Sequence, residues 1–292
     1  MFKGSMVAIV TPFKNNGADL DENKLKELVA FQTKNGTSVI VPCGTTGESA
    51  TLSIEEHERV IDIVIAAAKP EAMVMAGTGS NNTAEAIELT SHAKKAGADA
   101  ALIITPYYNK PTQEGVYRHF KALSDEVDIP LVSYNIMSRT GVNITPDTMK
   151  RISELKNVVG VKEASGDLNQ MSEIKNLCCK DFKLISGDDT LTLPVLSIGG
   201  CGVISVVANI IPNDVSDMVK AFMDNNMEKA RYLHYKMLPL IKAMFIETNP
   251  IPVKTAMGMM GMIEPSLRLP MCDMSKANKV KLEQALKEYG LI

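Results

Sequence analysis

The sequence predicts an α/β fold: a closed (β/α)8 barrel of the TIM type with a C-terminal helical domain. Three observations carry this reading. Eight short runs rich in Val, Ile and Ala alternate strictly with longer runs of helical period, the order that a parallel sheet with right-handed crossovers produces. Those runs are near-continuously apolar, as strands covered on both faces are. Eight repeats favour closure over an open sheet, and the 292 residues accommodate one barrel of ~250 residues with an appendage.

In chain order, the first strand is read over residues 6–10 (MVAIV), and the helix after it presents Leu25, Leu28 and Val29. The second strand, 38–42, leads into a helix opened by Ser53 and Glu56 at capping-box spacing. Ile61, Val64, Ile65 and Ala68 fall on one face of that helix. Strands follow at 73–77, 101–105 and 131–135. Thr145-Pro146-Asp147 then supplies a cap, a proline at the first helical position and an early acid. Runs at 158–162, 183–187 and 202–207 complete the eight. Beyond about Asn225 the strand pattern stops, and helices are expected over 227–245, 252–262 and 275–289. Residues 1–225 therefore read as the barrel and 226–292 as a helical domain packed on it.

Composition narrows the function. A net charge of −3 without a basic block argues against nucleic acid and against an anionic membrane surface. No apolar run reaches the ~18 residues of a membrane span. The opening MFKGSMVAIVTPF is broken too early by Pro12 to serve as a secretory signal, so a cytoplasmic location is expected. The five cysteines are irregularly spaced and form no CxxC pair, which suits reduced thiols packed as small hydrophobes. None of the four histidines, His57, His92, His119 and His234, ends a strand, so neither a metal-dependent aldolase site nor another metal is expected. Asp188 and Asp189 read as a helix start. GTGSN at Gly77 lacks the glycine spacing of a dinucleotide loop. The methionines 257, 259, 260 and 262 read as packing within one helix.

A barrel carries its chemistry on the loops after its strands, and reactive residues gather there. Lys162 ends the apolar run VVGVK. It is either a lysine that snorkels to solvent or one whose burial favours the neutral amine, which can attack a carbonyl. The loop Gly44-Thr45-Thr46-Gly47-Glu48-Ser49 is either a plain turn or an amide-and-hydroxyl cradle for a carboxylate. Tyr134 closes the fifth strand and reads equally as packing or as a proton carrier. The pair Tyr107-Tyr108 favours packing on position alone. Arg139, in the loop beyond the fifth strand, offers a bidentate clamp for a carboxylate or a surface ion pair.

The segments GTTGES, TPYYN, YNIMSRTG, GVKEASG, SGDD, GVISV and NPIPVK occur in this order. Together they resemble the family of 4-hydroxy-tetrahydrodipicolinate synthases, also called dihydrodipicolinate synthases, in the pyruvate-dependent aldolase superfamily. The resemblance runs from Phe2 to the C-terminus. It implies condensation of pyruvate with L-aspartate 4-semialdehyde through a lysine imine, without cofactor, on the route to diaminopimelate and lysine. It implies Lys162 as the imine lysine and Thr45, Tyr134 and Tyr108 as a proton relay, with Tyr108 reaching a neighbouring subunit's site. It implies Thr46 as the contact of the pyruvate carboxylate, with Gly187 and Ile204 lining the pocket. Arg139 then receives the aldehyde's carboxylate. Met137 stands where the family usually has proline, so the turn before Arg139 is less restrained. A homotetramer built as a dimer of dimers is implied. So is an L-lysine feedback site at Ser49, Ala50, His57, Asn81, Glu85 and Tyr107, with Ile54 where regulated members often carry a second histidine. The rival within the superfamily is N-acetylneuraminate lyase or a 2-keto-3-deoxy sugar-acid aldolase. Arg139 argues against it, because a sugar chain asks for hydroxyl partners at that point.

Overall fold

The computed structural model describes residues 2–292. Eight parallel strands close into a barrel: β1 Gly4–Ala8, β2 Val39–Val41, β3 Met73–Gly77, β4 Ala100–Ile104, β5 Leu131–Asn135, β6 Val158–Glu163, β7 Lys183–Ser186 and β8 Gly202–Ser205. Each pairs with its neighbour in sequence, and β8 pairs with β1 to complete the ring. Helices α1 Glu22–Lys34, α2 Ile54–Ala68, α3 Thr83–Ala96, α4 Gln113–Glu126, α5 Met137–Thr140, α6 Pro146–Ser153, α7 Leu168–Leu177, α8 Thr192–Ser197 and α9 Pro212–Met223 follow the strands. Then come α10 Met227–Ala243, α11 Ile251–Met259 and α12 Lys276–Tyr289.

The sequence reading of β3 and β5 coincides with the structure. The capping box at Ser53 and Glu56 forms, and Thr145 caps α6 ahead of Pro146. Most other boundaries shift by a residue or two, and three shifts have a visible cause. β1 starts earlier than predicted and stops before Val10, whose amide donates to the Asn209 side chain at 3.1 Å. β8 stops at Ser205 because the amides of Val206 and Val207 donate to the carboxylate of Asp189, at 3.0 and 3.1 Å. α11 ends at Met259, short of the predicted 262, where the chain turns through Gly261 at a φ of 70°.

Side chains alternate across each strand. Met6, Ala8, Val39, Val41, Met75, Ala100, Leu102, Val132, Ile185 and Ile204 point inward and fill the barrel. The opposite faces pack against helices. One cluster joins Ile103, Val161 and Leu184 to Phe120, Met149 and Ile174 of α4, α6 and α7. Another joins Val7, Ile40 and Val74 to α1 and α2, and continues into Leu233, Met237, Leu240, Leu282 and Leu286 of the C-terminal helices.

The C-terminal helices also reach the barrel mouth. Lys254 of α11 is wholly buried, and its Nζ lies 2.6 Å from Glu48 in the loop after β2. The same ammonium donates to the carbonyl of Thr11 at 3.0 Å and lies 4.2 Å from the centre of the Phe13 ring. The second oxygen of Glu48 accepts the amide of Arg268 at 3.2 Å. Arg268 stacks on Phe13 at 4.3 Å and pairs with Glu56 of α2. Glu48 itself has a φ of 53°, a left-handed conformation that costs a non-glycine residue energy and is kept where its surroundings determine it.

Candidate active site

The register of β5 and β6 sets Tyr134 beside Lys162, and Lys162 pairs with Ile185 on its other side. Both side chains therefore project from the C-terminal ends of adjacent strands toward the barrel axis. The Lys162 Nζ lies 4.1 Å from the centre of the Tyr134 ring, and only 6% of the lysine is exposed. Glu163, next along β6, faces the other way. It accepts the Asn135 amide at 3.0 Å and the Ser165 backbone N–H at 2.7 Å. Those bonds fix the strand end and with it the direction of Lys162.

Burial is the main cause of the electrostatics here. It holds the Lys162 amine down at about 7, against the pull of the Asp189 carboxylate, with the Arg139 charge adding to the depression. Burial pushes the Tyr134 phenol up to about 12, partly offset by the Arg139 charge and a hydrogen bond with Thr45. Gly187 makes room for the lysine: a Cβ there would stand 3.2 Å from the Lys162 Cε and 2.8 Å from Ala164. Ile204 lies in the interior layer.

Thr46 is buried, and its hydroxyl oxygen accepts the side-chain amide of Asn249 at 3.0 Å. Arg139 sits in the one-turn helix α5, and its Nη2 donates to the Asn249 backbone carbonyl at 3.1 Å. Despite Met137 in place of proline, this turn is closed by Thr140, whose hydroxyl bonds the Ile136 carbonyl at 3.0 Å. A cavity of about 390 Å³ is lined by Thr45, Tyr134, Arg139 and Asn249 together with Ser49, Ala50, His57, Glu85 and Tyr107. Asn81 does not line it but donates to the Tyr107 carbonyl at 3.2 Å. His57 is buried and held down at about 4 by desolvation, and its Nδ1 has no hydrogen-bond partner. Burial and the Glu85 charge push the Tyr107 phenol up.

Tyr108 is not brought to Lys162 within the chain. Its side chain is 89% exposed, and its backbone holds a φ of 70°. The sequence reading missed three further residues. Asn249 and Lys254 lie in NPIPVK, which entered only as a motif. Asp188 and Asp189 do open a short helical turn as read, with Asp188 as its cap, but the burial of Asp189 and its charge acting on Lys162 were not foreseen.

A neutral amine of this kind can add to a carbonyl, with a phenol beside it to carry protons. The fold and this mouth define a class: lyases that work through a lysine amine at the end of a parallel barrel. Residues 1–289 match the model of the dihydrodipicolinate synthetase family. The chain belongs to that family. It is 56% identical over 292 residues to the 4-hydroxy-tetrahydrodipicolinate synthase of Syntrophus aciditrophicus (strain SB), covering 100% of both chains. It superposes with a TM-score of 0.97 on the chloride-inhibited dihydrodipicolinate synthase of Acinetobacter baumannii complexed with pyruvate, at 43% identity over 100% of both chains. A third relative, the enzyme of Cyanidioschyzon merolae with lysine bound, superposes at 0.96 and 40% identity, over 100% of this chain and 99% of that one.

The depressed amine has a cost in stability that can be measured. Between pH 7 and the ordinary lysine value, the unfolded chain binds a proton at Lys162 that the folded chain does not. Folded-state stability therefore rises with pH across that window. Lys162→Met removes the cost, so the variant is expected to be more stable than the parent at pH 7 by roughly 2–4 kcal/mol in urea unfolding, with the gap shrinking toward pH 10. A variant no more stable at pH 7, or a gap that widens with pH, would contradict a depressed amine.

Proposed function

We propose that this protein condenses pyruvate with L-aspartate 4-semialdehyde to 4-hydroxy-tetrahydrodipicolinate, the step leading toward diaminopimelate and lysine. The observation that carries the reading is the buried Lys162 amine, held at about 7 beside Tyr134. The relatives carry the synthase name, and none of those described above is a sugar-acid lyase.

The Lys162 nitrogen adds to the C2 carbonyl of pyruvate, and the oxygen leaves as water. The imine loses a proton from C3 to become an enamine. C3 then bonds to the aldehyde carbon, whose oxygen takes up a proton and becomes the 4-hydroxyl. The amino group of the second substrate attacks the imine carbon, closes the ring and releases Lys162. In this scheme Tyr134 moves the protons, with Thr45 and with Tyr108 from a second copy of the chain. Thr46 receives the pyruvate carboxylate between Gly187 and Ile204, and Arg139 receives the carboxylate of the aldehyde.

The exposure of Tyr108 supports at least a dimer, and a homotetramer as dimer of dimers is its closed extension. We assign residues 1–225 to the reacting groups and 226–292 to a helical domain that braces them. Among the described residues no helix is long and apolar enough to cross a membrane, and a cytoplasmic location follows from the biosynthetic role. L-Lysine is the proposed feedback ligand of this cavity, on the side of His57, Glu85 and Tyr107. Glu85 and Asn81 take its α-amino group, Tyr107 its carboxylate, and Ser49, Ala50 and His57 surround the ε-ammonium. Ile54 offers no polar partner there, so the inhibition is expected to be weaker than in a site with a second histidine.

Borohydride with pyruvate is expected to fix one pyruvyl group on Lys162, read by peptide mass. Arg139→Ala should keep that adduct yet lose at least about tenfold in kcat/KM for the aldehyde. An adduct elsewhere, or an unchanged kcat/KM, would count against the scheme. Tyr108→Phe and Lys162→Ala are each expected to be nearly inactive, while mixed oligomers regain activity. No regain after verified subunit exchange would remove the shared site. Initial rates at saturating pyruvate should fall with millimolar L-lysine and be less affected in Glu85→Thr. Equal inhibition of parent and variant would displace lysine from this cavity.

A further inference from the structure

The side chains of Lys254 and Glu48, paired at 2.6 Å, are 0% and 2% exposed. A buried ion pair is a poor source of stability. Taking two charges out of water consumes most of their attraction, and apolar side chains of the same volume often do as well. Glu48 carries a second cost in its left-handed φ of 53°, a conformation that non-glycine residues keep where their surroundings impose it. Both costs fall on a residue that closely follows Thr45 and Thr46, and they ask for a return other than stability.

Each bond of the pair leads back to the loop after β2. That loop is folded on itself. The Gly47 amide donates to the Gly44 carbonyl and the Glu48 amide to the Thr45 carbonyl, each at 3.1 Å. A shift of Glu48 therefore moves Thr45 and Thr46. The Lys254 ammonium holds the Glu48 carboxylate and the Thr11 carbonyl, the latter at 3.0 Å. The Thr11 hydroxyl in turn donates to the Gly47 carbonyl at 2.7 Å. One ammonium thus clamps the loop both directly and through Thr11. Just before α11, the Asn249 side-chain NH2 donates to the Thr46 hydroxyl oxygen at 3.0 Å. That bond uses a lone pair of Thr46 and leaves its proton for another acceptor. The segment 249–254 therefore grips the loop at two points, Thr46 and Glu48. Two points fix a direction, where one alone leaves a hinge.

We infer that Lys254 and Glu48 are positioning residues for pyruvate: their pairing sets the orientation in which the Thr46 hydroxyl meets the carboxylate of that substrate. The inference rests on the proposed reaction and on the place of Thr46 in it. Lys254 is wholly enclosed by protein, so it acts on the substrate only through the loop.

The test measures KM for pyruvate at saturating aldehyde, together with the urea midpoint of unfolding. The proteins are Lys254→Met, the double variant Glu48→Gln/Lys254→Met, and Thr46→Val in the parent and in that double variant. Lys254→Met leaves a buried carboxylate unmatched, and it is expected to lower the urea midpoint and raise KM about tenfold. The double variant removes both charges, and its glutamine still offers an acceptor to the Arg268 amide. Its urea midpoint is expected to return most of the way to the parent's while KM stays about tenfold high. A merely structural role would let both recover together. The double variant carries the test where Lys254→Met is too unstable to purify. Thr46→Val should raise KM about tenfold in the parent but add less than about twofold in the double variant, whose hydroxyl is already out of place. Recovery of KM along with stability, an unchanged KM, or additive effects of Thr46→Val would each overturn the inference. A parent enzyme that gives no borohydride-trapped pyruvate, or whose KM does not respond to Thr46→Val, removes the proposed reading of the site instead. Those two results are obtained with the pair intact.

Discussion

Lys254 and Glu48 form an ion pair in which neither side chain reaches solvent, and the layout of the barrel mouth follows from where that pair sits. Removing two charges from water costs several kcal/mol per ion, and their attraction repays this only when the remaining hydrogen bonds are also made. Here they are. The ammonium also meets the Thr11 carbonyl and the face of Phe13, and the carboxylate also accepts the Arg268 amide. Such a pair contributes little net stability, but it tolerates no other register, because a slipped helix would leave both charges buried and unmatched. It fixes α11 over the loop after β2. With α11 fixed, Asn249 just before it comes within reach of Thr46 and Arg139. Two side chains that follow different barrel strands are thus referenced to one point outside it.

The two buried lysines show how one physical cost leads to two outcomes. Burial depresses both amines. At Lys254 a carboxylate in direct contact opposes the depression. At Lys162 the opposing charge is that of Asp189, whose carboxylate is engaged by the amides of Val206 and Val207. The Lys162 nitrogen instead faces the ring of Tyr134. One lysine is held in an ion pair and the other is left facing an aromatic ring. The difference lies in what each nitrogen touches.

Features set by neighbours in the chain were legible in the sequence. Apolar runs placed β3 and β5, Ser53 and Glu56 marked the start of α2, and Lys162 stood out as a lysine ending such a run. What escaped depends on partners far away in sequence. Glu48 lies 206 positions from Lys254, and Asn249 lies 203 from Thr46, and nothing in either segment announces the other. The end of β8 was misjudged for the same reason, since a carboxylate from another loop takes its amides. Asp188 and Asp189 look alike in sequence. The backbone between them turns one outward as a cap and the other inward.

Tyr134 and Glu85 line one and the same cavity. His57, Tyr107, Thr45 and Arg139 line it with them. A substitution that reshapes one part of it alters the volume and hydration felt at the rest. Residues that line one such cavity are therefore constrained together.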